Sequence, residues 1–158
     1  MMELTVLCAG LAAGAAIPVQ YTGFGRDVSP AVEWSEAPAG TKSIALICDD
    51  PDAPGGDWVH WVIFNLPPDS RGLPEGVPAK PLLDNGAIQG LNDFGAPGYR
   101  GPHPPPGRPH RYVFTVFALD DRLGLDARAR KADLLRAMEG RVLAQGRWHG
   151  TFQRPASR

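Results

Sequence analysis

A β-rich fold is what this sequence predicts, and three observations carry that reading. Its 158 residues include 19 glycines and 17 prolines, a density that implies many turns and few long helices. Three runs, Ser43–Cys48, Trp58–Leu66 and His110–Leu119, are apolar and rich in β-branched and aromatic residues. A single segment, Lys131 to Ala144, carries clear helical periodicity.

Taken in chain order, the stretch Leu4 to Ile17 is rich in alanine and glycine and has the look of a secretory core. Only Glu3 is charged ahead of it, where a signal peptide would be basic, and the stretch is too short to span a bilayer. It is expected to be structural, and the protein cytoplasmic. Ser43–Cys48 reads as a strand covered on both faces, stopped by Asp49-Asp-Pro-Asp-Ala-Pro-Gly-Gly56, where proline removes a donor and glycine permits unusual dihedrals. Trp58–Leu66 is apolar on both faces again, so the two runs are expected to pair antiparallel across that loop. Residues 67 to 109 are too irregular for regular elements and too apolar for a disordered linker, and are expected to form a long ordered excursion that serves a site. His110–Leu119 then reads as a central strand.

In Lys131 to Ala144, Leu134, Leu135, Met138, Val142 and Leu143 share one face, Arg136 and Arg141 point elsewhere, and Asp133 suits the positive end of the helix dipole. The basic residues Arg128, Arg130, Lys131, Arg136 and Arg141 have no interleaved aromatics for stacking and read as a solvated face rather than a nucleic-acid stripe. There is no internal repeat and no low-complexity tract, and the chain is expected to be one domain over residues 1–158.

A formal net charge of −1 supplies no global field that would draw the chain to nucleic acid or an anionic membrane, so specificity must come from a local site. Cys8 and Cys48 lie in apolar runs without a partner at metal-ligand spacing, and are expected to be buried free thiols of a protein in a reducing compartment.

The candidate site follows from strand periodicity. Trp58 and His60 point to one side of their strand, and His110 and Tyr112 to one side of theirs; each pair opens its strand directly after a Pro/Gly loop. If the first two runs form a hairpin, Asp50, Asp52, Trp58 and His60 meet at one sheet end, and a third strand starting there adds His110 and Tyr112. Aspartate beside histidine orients the ring and favours imidazolium, and two such rings with a tyrosine hydroxyl suit a phosphate or carboxylate. Three of the four histidines lie in or beside loops that also carry the acids, which favours a site over core histidines.

These segments resemble a known family. Asp50-Pro-Asp-Ala-Pro54, Trp58-Val-His-Trp61, Gly101-Pro-His-Pro-Pro with Gly107, and His110-Arg-Tyr112 look like the ordered signatures of the phosphatidylethanolamine-binding (Raf kinase inhibitor-like) family. Tyr21-Thr, Asp27-Val-Ser-Pro30 and Pro38-Ala-Gly-Thr-Lys-Ser43 extend the likeness along nearly the whole chain. Asn92-Asp-Phe-Gly95 and the Lys131-Ala-Asp-Leu-Leu135 helix opening are similar to the compact bacterial and archaeal branch. The resemblance implies a mainly β fold, a large antiparallel sheet packed on a smaller one with a few peripheral helices. It implies a ligand pocket of Asp50, Asp52, Trp58, His60, Pro104, Pro105, His110 and Tyr112, and a non-enzymatic binding protein for phosphate-bearing or other small anions, without a cofactor. It further implies a modulator of a kinase or protease, and a homodimer.

The chain departs from animal members in two respects. The sequence stops shortly after Trp148-His-Gly-Thr-Phe152, so the longer C-terminal helix that borders the pocket there is not expected, and His103 stands where they have a small residue. Together with the likeness, the need to turn sharply while aiming two aspartates inward leads us to expect a cis peptide at Ala53–Pro54. The competing reading is a metal-dependent hydrolase using Asp49, Asp50, Asp52, His60 and His110, although no helical His-x-x-x-His frame accompanies them. Serine hydrolysis lacks a Gly-x-Ser-x-Gly elbow.

Overall fold

A computed structural model describes residues 2–156. In chain order the elements are β1 (Met2–Glu3), β2 (Val6–Cys8), a 3-10 turn at Val19–Tyr21, β3 (Val32–Trp34), β4 (Ser43–Asp50), β5 (Trp58–Leu66), β6 (Gly72–Leu73), β7 (Ile88–Gln89), β8 (His110–Leu119), α1 (Lys131–Met138) and β9 (Val142–Phe152). A six-stranded sheet runs β1-β9-β8-β4-β5-β7 and a three-stranded sheet runs β2-β3-β6. The fold is thus mainly β, a large sheet on a smaller one, as expected. The large sheet is not wholly antiparallel, because β1 pairs parallel with β9.

Alternation along the strands divides the apolar side chains between two faces. Leu46 and Cys48 of β4, Phe114 and Val116 of β8 and Trp148 of β9 pack toward Val32, Trp34 and Leu73 of the small sheet. Ala45, Ile47, Phe64, Phe117 and Leu119 face the other way, against Leu134 and Met138 of α1. Burying a Leu or Phe side chain fully, as at Leu46 and Phe64, contributes about 1.5–3 kcal/mol each. The central strands are therefore covered on both sides, which is why they read as continuous apolar runs rather than alternating ones.

The hairpin expected across the Asp/Pro/Gly loop is present: β4 and β5 pair antiparallel from Ile44↔Leu66 to Asp50↔Trp58. The Ala53–Pro54 bond, expected to be cis, is trans. The turn is made instead by Gly55 and Gly56, at φ values of 81° and 115° that side chains rarely adopt.

The helix is shorter than its periodicity predicts. It stops at Met138, Gly140 takes a φ of 74°, and Val142–Ala144 begin β9. Val142 and Ala144 then pair with Leu119 and Ala118 of β8, so a cross-strand ladder overrides an apolar spacing that a helix would also have satisfied. The Asp133 side chain does cap the helix, accepting from the Arg130 backbone N–H at 2.9 Å.

Candidate functional site

β8 lies next to β4 and β4 next to β5, so the ends carrying His110, Asp50 and Trp58 fall side by side at one edge of the large sheet. The pairing steps from Cys48↔Trp61 to Asp49↔Val59, which leaves His60 as an extra residue on β5. A β-bulge of this kind re-aims side chains. Here it lets His60 join the pocket while Trp61 stays in the core between the sheets. Along β4, Asp50 points inward and Asp49 outward, in step with Cys48 and Ile47.

A cavity of about 470 Å³ opens at this edge. Asp50, Trp58, His60, Pro104, Pro105 and His110 of the candidate set line it, with His103 beside them. Asp52 and Tyr112 do not line it. The Asp52 carboxylate accepts from the Arg111 backbone N–H at 2.9 Å and from the Arg111 guanidinium at 2.9 and 3.0 Å, and faces out of the pocket. Those bonds hold its carboxyl well below the usual carboxylate range. Tyr112 is 1% exposed and lies behind the two histidines, with ring centroids 5.3 Å from His60 and 6.5 Å from His110. Burial, and after it the nearby Asp50 carboxylate, push its hydroxyl pKa up, yet among the described residues no group, Asp50 included, meets that hydroxyl in hydrogen-bond geometry.

The two pocket histidines are held differently. His110 Nδ1 lies 2.7 Å from Asp50 Oδ2, so its Nδ1–H donates to the carboxylate; the other oxygen, Oδ1, accepts from the Asp52 backbone N–H at 2.8 Å. His60 Nδ1 lies 2.5 Å from the Arg100 carbonyl, which can only accept, so Nδ1 carries the proton. Burial lowers the His60 pKa, outweighing that bond and the more distant Asp50, Asp27 and Asp93. A neutral His60 therefore presents Nε2 as an acceptor. For His60 the expectation of imidazolium meets an opposing effect: burial disfavours the charged ring, although its Arg100 carbonyl partner and the more distant acids favour it.

The excursion over residues 67–109 supplies the far wall. His60 clamps the Arg100 peptide from both sides, since its own carbonyl accepts from the Arg100 N–H at 3.1 Å. The Gly101 N–H donates to Asp27 Oδ1 at 2.7 Å, and a Cβ on Gly101 would overlap the Tyr21 carbonyl. Phe94 is placed by the Asn92 side chain, whose Oδ1 accepts from the Phe94 N–H at 2.9 Å while its amide donates to Gly98. Phe94 meets Trp58 edge to face at 5.5 Å, and each is 39% exposed at the mouth.

Sequence reasoning missed four lining residues: Ala53, Pro54, Phe94 and Arg154. Phe94 sits in a segment noted for its family likeness but not for chemistry. Arg154, just past β9, had no signal, because nothing in a sequence says where the residues that follow a strand return.

Of the acids in the hydrolase reading, Asp49 and Asp52 are held outside the pocket and Asp50 stays in it. Asp49 and Asp57 pair with Lys131 of α1, Asp52 pairs with Arg111, and Asp50 is directed to His110. Among the described residues no group of three or more His, Cys, Asp or Glu is placed to hold a metal. Both cysteines are buried and free, burial pushing the Cys8 thiol up to about 12.

A two-sheet fold with an apolar-walled, polar-floored pocket at a strand end has the form of a small-ligand binding protein. The chain belongs to the phosphatidylethanolamine-binding protein family, whose model matches residues 9–153. It is 53% identical over 138 residues to a UPF0098 protein of Methanothermobacter thermautotrophicus, spanning 87% of this chain and 91% of that one. It is 47% identical over 143 residues to a UPF0098 protein of Aquifex aeolicus, spanning 89% and 83%. Among solved structures, a phosphatidylethanolamine-binding protein homolog from Chlamydia trachomatis superposes with a TM-score of 0.88 at 34% identity, over 98% of this chain and all (100%) of that one. YbcL of Escherichia coli does so with a TM-score of 0.88 at 32% identity, over 97% and 99%. No helix among the described residues is long and apolar enough to cross a membrane.

Proposed function

We propose that the protein is a non-enzymatic binding protein whose pocket takes a small phosphate-bearing or similar oxyanionic ligand. The observation that carries this reading is the buried Asp50–His110 pair at the floor of the cavity. The carboxylate fixes Nδ1–H and leaves Nε2 of His110 as the group available to a ligand. His60 Nε2 complements it as an acceptor for a ligand hydroxyl, P–OH or ammonium. Trp58, Pro104 and Pro105 form the apolar wall for whatever carries the anion.

Titration calorimetry with a phosphate ester tests this. His60→Ala and His110→Ala should each cost on the order of 1–3 kcal/mol of binding, the range for losing a hydrogen bond with a charged partner. Unchanged affinity in folded variants would place the site elsewhere.

The proposal extends to a cytoplasmic homodimer that modulates a kinase or protease. The exposed Trp58 and Phe94 pair gives the mouth an apolar rim of the kind on which protein partners anchor. Two-fold homodimers are the commonest assembly, and light scattering that reports a monomer at micromolar concentration would remove that part.

A further inference from the structure

One wall of the pocket, made by His103 and Arg154, is backed by a residue from a third part of the chain. Phe24, just past the 3-10 turn, stacks face to face on His103 of the proline loop, with centroids 4.4 Å apart and planes within 4°. The Arg154 guanidinium lies over the same Phe24 ring, 5.1 Å from its centroid. Its hydrogen bond to the Pro104 carbonyl is long, at 3.5 Å, and among the described residues no carboxylate pairs with it. Most of its donors are left for something else. Phe24 also packs on Phe152, two residues before Arg154, at 6.0 Å, which steadies the tail that delivers the guanidinium.

Charge in the lining makes this arginine decisive. Apart from histidines, the lining holds one carboxylate, Asp50, and one guanidinium, Arg154. His60 is committed to the Arg100 carbonyl and offers a lone pair, and the N–H that fixes His110 is directed to Asp50. Without Arg154 the permanent charge facing a ligand would be negative and would repel an anion. With it, one permanent cation faces the cavity, held over the Phe24 ring and carrying the planar fork that matches two oxygens of a phosphate.

We propose that Arg154 makes the pocket selective for doubly charged phosphate monoesters over singly charged diesters of the same size. This rests on the oxyanion-binding reading above and deepens it. A monoester carries its second charge above a pKa of about 6, and keeps three unesterified oxygens, enough to accept from the guanidinium fork and from the Nε2–H of a His110 ring that carries both protons. A diester has one negative charge and two such oxygens, so it must give up one of these contacts.

The test is calorimetry near pH 7, where the monoester is largely dianionic, with phenyl phosphate and methyl phenyl phosphate on the wild type, Arg154→Met, Arg154→Lys and His110→Ala, each checked for a native thermal transition. Wild type should prefer the monoester. Arg154→Met should lose monoester affinity about ten- to a hundred-fold, the range for a charge-assisted bidentate pair, and lose the preference. Arg154→Lys, with charge but no fork, should fall between. Monoester affinity and preference unchanged in Arg154→Met, with His110→Ala impaired, overturns the role of Arg154 and leaves the oxyanion site standing. Failure of the wild type to bind either ester overturns both.

Discussion

Asp50 and His110 are 3% and 7% exposed and meet at 2.7 Å, one at the end of β4 and the other at the start of β8. The carboxylate also accepts the Asp52 N–H, so one buried side chain both orients a pocket ring and starts the turn that follows it.

Asp50→Ala should therefore destabilise the protein by about 3–5 kcal/mol, the cost of removing one partner of a buried, hydrogen-bonded pair. Denaturant titration at neutral pH measures it. A loss below about 1 kcal/mol would mean that water replaces the carboxylate at little cost.

His60 predicts a pH dependence of stability. Burial holds its folded-state pKa below the value near 6.5 of an unfolded histidine, so the unfolded chain binds the proton more readily. The resulting stability is fully present above about pH 7, and declines as pH falls through the unfolded pKa toward the lower folded one. His60→Gln cannot titrate, so the difference between wild type and variant should shrink between about pH 7.5 and pH 5. A difference that stays constant or grows on acidification would contradict a neutral His60.

Asp52 carries the opposite expectation from the one its motif suggests. Its carboxylate is tied to Arg111 outside the cavity, so Asp52→Asn should change affinity for a phosphate ester no more than about two-fold, as for an exposed ion pair. A ten-fold loss by calorimetry would return it to the site.

Tyr112→Phe should leave stability unchanged or raise it by up to about 1 kcal/mol, because it removes a buried hydroxyl that no described residue satisfies. A loss above about 1 kcal/mol in denaturant titration would show that the hydroxyl has a partner in solution.

Much of the pocket was legible because strand periodicity is local. Trp58, His60 and His110 open strands after proline loops, and the hairpin that brings Asp50 to them joins neighbours in sequence. What remained hidden depended on long-range geometry. Whether Asp52 turns in or out is decided by Arg111, 59 residues on. Periodicity pointed Tyr112 the right way, and the histidines in front of it close it off. The helix overran for a related reason: Val142 and Leu143 continue its apolar face, and only the ladder to β8 and the φ of Gly140 show where it ends.

The wall joining Phe24, His103 and Arg154 spans 130 positions of the chain and forms only after β9 has zipped onto β8. Closing loops of that length is slow, and the reward arrives late. A folding intermediate that lacked β9 would have a hairpin, two histidines and an aspartate, but no recognition. Ligand would then stabilise the finished molecule alone, by RT ln(1 + [L]/Kd), and would slow unfolding rather than speed folding. In this architecture the strand that carries Arg154 to Phe24 closes the wall of the cavity.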